Sequence, residues 1–328
     1  MRTIPVLLVL VASALALPFG EVNHVVRVIA EPSALPASHT EFREEVLRAL
    51  NPNTTELVYG GSPAPPGAFP QQVFISYRAN DGKSYICGGS LLSTTHVLTA
   101  AHCTVDMVSA KIMAGGVDIT SRSGNTQWRN ANRIVSHGQY DPARYYNDIA
   151  VIEFSPALVE NRDIQLTKIV EDDAELVKKT AALVTGYGVY HWQAQDDGIS
   201  SDELLYSTVS LFPFKYCNTV WYRRLRDSQV CAGAKDKGAG PGDSGGPLLV
   251  SHNKQLYQVG LTSYGTNDQD DDEHHQDRWP TIFTRVSSFC DFIDRATDGA
   301  AKCGRIDDNG PTPASTTAPC TPKPRRSG

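Results

Sequence analysis

From Val58 onward, short runs of β-branched and aromatic residues succeed one another: Gln72-Val73-Phe74-Ile75-Ser76-Tyr77, Ile149-Ala150-Val151-Ile152-Glu153-Phe154 and Leu256-Tyr257-Gln258-Val259-Gly260-Leu261. Clusters of Gly, Asn, Asp and Ser separate them. Apolar runs of this length, bounded by turn formers, predict strands, and many of them in succession predict an all-β sandwich or barrel. Helices are predicted in only two places of this region, after Tyr216 through about Leu225 and from near Ser288, the latter a C-terminal helix. No internal repeat is visible.

The two ends have a different texture. Met1-Arg2, an apolar run from about Ile4 to Leu15 and the small-residue site Ala14-Leu15-Ala16 predict a secretory signal over 1–16. The run falls short of the roughly 20 apolar residues that a membrane span needs, and Pro18 and Gly20 follow it. Residues 17–57 carry several prolines, an acidic helical patch around Glu41-Phe42-Arg43-Glu44-Glu45 and no cysteine, and read as a propeptide. Asn53-Thr54-Thr55 is a glycosylation sequon, whose use requires exposure. The folded unit is expected over 58–303. Residues 304–328 read as a tail, Pro/Thr/Ser-rich from Gly310 and too poor in apolar residues to offset the entropy of ordering.

Of 328 residues, the acidic outnumber the basic to give a net charge of −6, which argues against a nucleic-acid partner. A secreted, extracellular chain also makes its seven cysteines readable as disulfide partners.

Three short motifs carry the chemistry: Thr99-Ala100-Ala101-His102-Cys103, Asn147-Asp148-Ile149-Ala150 and Gly242-Asp243-Ser244-Gly245-Gly246-Pro247. A serine hydroxyl is a poor nucleophile near neutral pH. It needs a base to take its proton, and that base needs a carboxylate to fix its tautomer and stabilise the imidazolium. The order His…Asp…Ser is that of chymotrypsin-type proteases and differs from subtilisins and α/β-hydrolases. From Val58 to about Ile293 the chain resembles the chymotrypsin/trypsin-like serine proteases.

That resemblance implies two antiparallel six-stranded β-barrels, with His102 and Asp148 on the first and Ser244 on the second. It implies Ser244 as nucleophile, His102 as general base and Asp148 as its orienting partner, with the N–H groups of Gly242 and Ser244 as the oxyanion hole. It assigns Ser263 a supporting contact to Asp148, and pairs Cys87 with Cys103 and Cys217 with Cys231. Cys290, Cys303 and Cys320 are left over. One unbroken helix would separate residues 290 and 303 by about 20 Å against the roughly 6 Å of a disulfide. A helix stop at Asp298-Gly299 would let the chain return, so Cys290–Cys303 is preferred, with Cys320 free or paired between molecules.

The resemblance places a primary pocket at Gly238, Ser263, Tyr264, Gly265 and Thr281. Gly238 stands where trypsin-like members carry an aspartate, Gly265 leaves the mouth open, and no carboxylate is expected inside. Leu, Met or aromatic side chains are therefore expected before the cut bond. The disulfide that usually ties the pocket floor to the next loop is missing at both ends, with Gly240 at one position and no cysteine in the segment 266–279. That segment is acidic, with Asp268, Asp270, Asp271, Asp272, Glu273 and Asp277, and is expected either as a solvated loop or as a charged rim. Neither His274-His275 nor the glutamate-free stretch after Cys103 makes a convincing metal site, so no metal or other cofactor is expected.

Val58-Tyr59-Gly60-Gly61 resembles the family's mature N-terminus, which implies that the α-amine freed by cutting Leu57–Val58 pairs with Asp243. Leu57 suits the expected apolar pocket, so self-maturation is expected, with residues 17–57 leaving entirely because no propeptide cysteine tethers them. The expected partners are peptide or protein substrates and protein inhibitors of proteases, and the expected state is a monomer away from membranes. Two other readings compete: an inactive homologue used as a binding module, and an esterase. An esterase would require a strand–turn–helix around its serine, and the alternating βα texture is absent.

Overall fold

The computed structural model describes residues 58–120, 125–193 and 198–307, together with the backbone of a strand at His24–Val28. The expected signal, most of the expected propeptide including Asn53 and Leu57, and Cys320 lie outside the described residues.

In chain order the strands open with β1 (His24–Val28) and the two-residue β2 (Ser62–Pro63). Six strands then form the first barrel: β3 (Gln72–Ala79), β4 (Ser84–Ser93), β5 (His96–Thr99), β6 (Met107–Ala114), β7 (Gln127–His137) and β8 (Ala150–Ser155). They pair antiparallel in the order β7-β6-β3-β4-β5-β8, and β8 returns to β7 to close the sheet. The second barrel comprises β9 (Ala181–Gly186), then, past the small hairpin of β10 (Val189–Trp192) and β11 (Gly198–Ser200), β12 (Leu205–Phe212), β13 (Gln229–Gly233), β14 (Pro247–His252), β15 (Gln255–Tyr264) and β16 (Thr281–Arg285). Its order is β13-β16-β15-β14-β9-β12, closed by β12–β13. Closure leaves no edge open within either six-stranded barrel.

Period-two burial explains the strands. In β12, Leu205, Ser207, Val209 and Leu211 are buried and alternate with more exposed neighbours. Val73, Ile75, Leu91, Val97, Ile112, Ile134 and Phe154 fill the first barrel. Val184, Leu205, Leu248, Val250, Tyr257, Val259 and Phe283 fill the second. Buried hydrogen bonds join the barrels where they meet: Ser90 Oγ donates to Gln258 Oε1 at 2.6 Å, and Thr185 Oγ1 to Gln72 Oε1 at 2.6 Å.

Four short helices interrupt the sheets: α1 (Ala174–Val177), α2 (Phe214–Val220), α3 (Gln269–His274) and α4 (Cys290–Ala296), the last preceded by a 3₁₀ turn at Val286–Phe289. α2 stops short of the expected Leu225 because Tyr222 and Arg223 take left-handed backbone angles. α4 packs Phe292 and Ile293 against Leu98 and Val135 of the first barrel and Leu261 of the second. Beyond it, Asp298 and Gly299 turn left-handed and bring Cys303 back, with its Cα 5.6 Å from that of Cys290 in a disulfide. Cys87–Cys103 and Cys217–Cys231 are also bonded.

Two features were not expected. β1 pairs antiparallel with β7, from His24 opposite His137 to Val28 opposite Arg133, extending the first sheet with backbone from the segment expected to be a propeptide. Past Cys303 the chain stays engaged: Gly304 pairs with Ile169 and Glu171, and the Asp307 N–H donates to Tyr257. Among the described residues no helix is long and apolar enough to cross a membrane.

Candidate active site

The two barrels meet along a cleft lined by His102, Tyr145, Ser244, Ser263, Tyr264, Gly265, Asp272 and Thr281, among others. His102 lies in the turn after β5. The Cys87–Cys103 disulfide ties that turn to β4, and the Thr99 hydroxyl donates to the Gly88 carbonyl at 2.9 Å. Asp148 comes from just before β8 and is fully buried.

A buried carboxylate is costly unless donors satisfy it. Asp148 has them from both barrels. Its Oδ1 accepts the backbone N–H of His102 at 2.9 Å, and its Oδ2 lies 2.8 Å from His102 Nδ1 and accepts Ser263 Oγ at 2.6 Å. Thr284 Oγ1 donates to the Asp148 carbonyl at 2.8 Å. An ionised carboxylate only accepts, so the imidazole hydrogen belongs on Nδ1, which leaves Nε2 with a free lone pair. Burial pushes the imidazole pKa down, but the attraction and hydrogen bond of Asp148 outweigh it and hold His102 above the ordinary histidine value.

Ser244 sits in the tight turn between β13 and β14, where Gly242 has a φ of +97°, a backbone region that L side chains rarely adopt. The Asp243 N–H goes to the Gly240 carbonyl, that of Gly245 to Thr262 and that of Gly246 to Asp243. The amides of Gly242 and Ser244 are the ones in this turn without a backbone acceptor among the described residues. Asp243 points the other way, 2% exposed, accepting the amides of Gly188 at 2.8 Å and Gly240 at 2.9 Å. Burial pushes its pKa up to about 6 against the pull of those amides. Val58 is itself fully buried.

The pocket departs from expectation. Gly238 does not line the cavity, because Gln276 fills the space at its Cα: a Cβ built on Gly238 would lie 1.7 Å from Gln276 Oε1. Gln276 is fully buried and fully bonded. Its Nε2 donates to the carbonyls of Ala239 and Asp272, both at 2.8 Å, and its Oε1 accepts from Thr281 Oγ1 at 2.8 Å. The expectation of a pocket without a carboxylate is also overturned. α3 turns part of the acidic segment inward, so Asp272 and Glu273 are buried and Asp272 lines the cavity. Tyr59 Oη donates to Asp272 Oδ2 at 2.8 Å and receives the Trp192 indole N–H at 2.8 Å. The segment is thus neither a solvated loop nor a rim alone.

Gly240, where a disulfide partner is missing, has no room for one: a Cβ there would meet the Val189 carbonyl at 2.2 Å and the Tyr59 ring at 3.2 Å. The two histidines of α3's end serve carboxylates, His274 with Asp236 at 3.0 Å and His275 with Asp270 at 3.6 Å. An aromatic wall unnoticed in the sequence runs from His102 through Tyr145, Tyr264 and Trp221 to Trp279, with successive ring centroids 5.2–6.3 Å apart. His102 and Tyr264 were expected at the site, whereas Tyr145, Trp221 and Trp279 lie far from them or outside any motif and were not.

Residues 58–293 match the protein-family model described as Trypsin. Chymotrypsin-C of Mus musculus is 31% identical over 247 residues, covering 74% of this chain and 89% of its own. Chymotrypsin-like elastase family member 1 of Homo sapiens is 28% identical, covering 74% and 93%, and a chymotrypsin of Phaedon cochleariae 28% identical, covering 82% and 92%.

Proposed function

The chain belongs to the chymotrypsin/trypsin-like family of serine proteases, and from that membership we propose that it is a secreted serine endopeptidase, made as a zymogen and working through an acyl-enzyme. The observation that carries the proposal is Asp148, buried and bonded to both nitrogen atoms of His102 that face it, in the cleft that also holds Ser244.

In the proposed reaction, His102 Nε2 takes the Ser244 proton as Oγ attacks the substrate carbonyl carbon. The carbonyl oxygen becomes an oxyanion, received by the amides of Gly242 and Ser244. One such donor typically stabilises the transition state by about 3–4 kcal/mol. His102 then returns the proton to the departing amine, leaving an ester on Ser244. Water, activated by the same imidazole, hydrolyses that ester and restores the serine. Asp148 keeps the tautomer throughout.

The substrates are peptides or proteins, with Leu, Met or aromatic residues preferred before the cut bond. The wall of Tyr264, open Gly265 and the buried Gln276 plug support a pocket of middle depth. Maturation by a cut at Leu57–Val58 is proposed, because buried Asp243 accepts two amides and has no cation against it among the described residues. A freed Val58 amine would supply one. The signal pattern over 1–16 and three disulfides support secretion.

Reaction with an organophosphonate tests the proposal. Mature protein beginning at Val58 should take up one label, mapped to Ser244 by peptide mass spectrometry, and lose peptide-hydrolysing activity in step. Absence of labelling and of hydrolysis would make the chain an inactive homologue.

A further inference from the structure

The carboxylate of Asp272 is placed where a substrate side chain must pass. Gly265 leaves the pocket wall open, and a Cβ built on Gly265 would lie 2.7 Å from Asp272 Oδ1 and 3.9 Å from Thr281 Oγ1. Asp272 is 7% exposed. Its Oδ2 is occupied by the Tyr59 hydroxyl at 2.8 Å, whereas Oδ1 has no protein donor among the described residues. A carboxylate oxygen that faces the cavity with no protein donor is free to receive a substrate cation.

We infer that Asp272 is the acid of the primary pocket and gives the enzyme a second substrate class, peptides with lysine before the cut bond, beside the apolar residues. The inference rests on the endopeptidase reading of the site. Lysine is favoured over arginine by the acceptor geometry. A guanidinium pairs best with both oxygens of a carboxylate, and here Tyr59 holds one of them. An ammonium is a point charge and needs only Oδ1; the Thr281 hydroxyl lines the same cavity. Gln276 also shortens the pocket by occupying the space at Gly238.

The setting makes this second class pH-dependent. Burial pushes the Asp272 pKa up to about 7, the Tyr59 hydroxyl draws it back, and the charges of Asp243 and Glu273 push it further up. Glu273 is in turn held by His191 at 2.8 Å, with His274 at 3.8 Å. Of the cations lining the cleft, Arg144 pairs with Asp141 at 2.9 Å, and Arg224 is the other. Gln276, Thr281 and Trp192 contribute no charge. While Asp272 is protonated, lysine gains no charge attraction from the pocket. As pH rises through the raised pKa, Asp272 ionises and lysine is accepted. Tyr59 is a positioning residue next to Val58, so the segment that begins at the proposed maturation cut holds the pocket acid through one hydrogen bond.

The test compares kcat/KM for two peptides that differ only in lysine or norleucine before the cut bond, from pH 5.5 to 9. The lysine-to-norleucine ratio of mature enzyme should rise about tenfold or more through pH 7, the worth of a charged hydrogen bond. In Asp272→Asn the ratio should be low and flat; taking the ratio cancels any common loss. In Tyr59→Phe, which keeps the acid and serves if Asp272→Asn fails to fold, the midpoint should move to higher pH because a donor to the charged form is gone. A ratio that is flat in the native enzyme, that still rises in Asp272→Asn, or whose midpoint ignores Tyr59→Phe would overturn the inference. Butylammonium binding to Ser244→Ala protein, followed by NMR titration, separates the two readings. Binding weakened about tenfold by adding Asp272→Asn, while the native mature protein cleaves neither peptide, upholds the pocket acid and overturns the endopeptidase. Cleavage of both peptides with an unchanged ratio does the reverse.

Discussion

Asp148 shows how much one side chain can organise. Its two carboxylate oxygens accept the backbone N–H and Nδ1–H of His102 and the Ser263 hydroxyl, so the imidazole's tautomer, direction and basicity depend on a single buried group. Asp148→Asn keeps the size but replaces one acceptor by an NH₂ donor facing Nδ1, which favours the wrong tautomer. A fall of about four orders of magnitude in kcat is expected. The same change removes the carboxylate that holds His102 above its ordinary value. Because neutral imidazole is the active form, native activity falls as pH drops through that raised pKa. In Asp148→Asn the acid limb of kcat/KM against pH should move to lower pH. A limb that stays in place would show that another group sets it. At this scale the sequence was informative where chemistry sits in a short motif, as for His102, Asp148 and Ser244. It was silent on the roles of Gln276 and Asp272, which depend on Gly238 and Tyr59, remote along the chain, and on the fold of the segment that follows Gly265.

The elements carry the difference between a pocket inferred from matched positions and the pocket that is there. Strand positions were legible because alternation and turn residues are local: β3, β8 and β15 fall on the runs that predicted them. α3 was not, since an acidic segment gives no apolar stripe by which to read its inner face. Its first turn is capped by the Asp268 side chain, which accepts the Asp271 N–H at 3.0 Å, and this cap turns Asp272 and Glu273 inward. A consequence follows for Gly238. Read by position, Gly238→Asp would add an acid to the pocket floor and recover cleavage after arginine. With Gln276 Oε1 1.7 Å from the new Cβ and φ at +159°, the substitution must instead displace a fully bonded buried side chain. The thermal midpoint should fall, by an amount corresponding to about 2 kcal/mol or more, with no gain in arginine cleavage. A stable variant that cleaves after arginine would contradict the placement of Gln276.

Across the whole molecule, neither barrel owns the site. His102 and Asp148 come from the first, while Ser244, Ser263 and Thr284 come from the second and bond to Asp148 or share its cleft. The barrel pair was legible through family resemblance, and the docking of one barrel on the other was not, because Ser90–Gln258 and Thr185–Gln72 join residues with no sequence relation. In the proposed mechanism Ser244 and His102 act as one unit in which each is of little use alone. The most direct measurement is therefore kcat/KM for one peptide in the mature enzyme, in Ser244→Ala, in His102→Ala and in the double variant. Each single change should remove nearly all activity, about 10⁶-fold in kcat, and the double variant should be scarcely worse than either. Losses that multiply in the double variant, or a single variant that retains substantial activity, would contradict the shared mechanism.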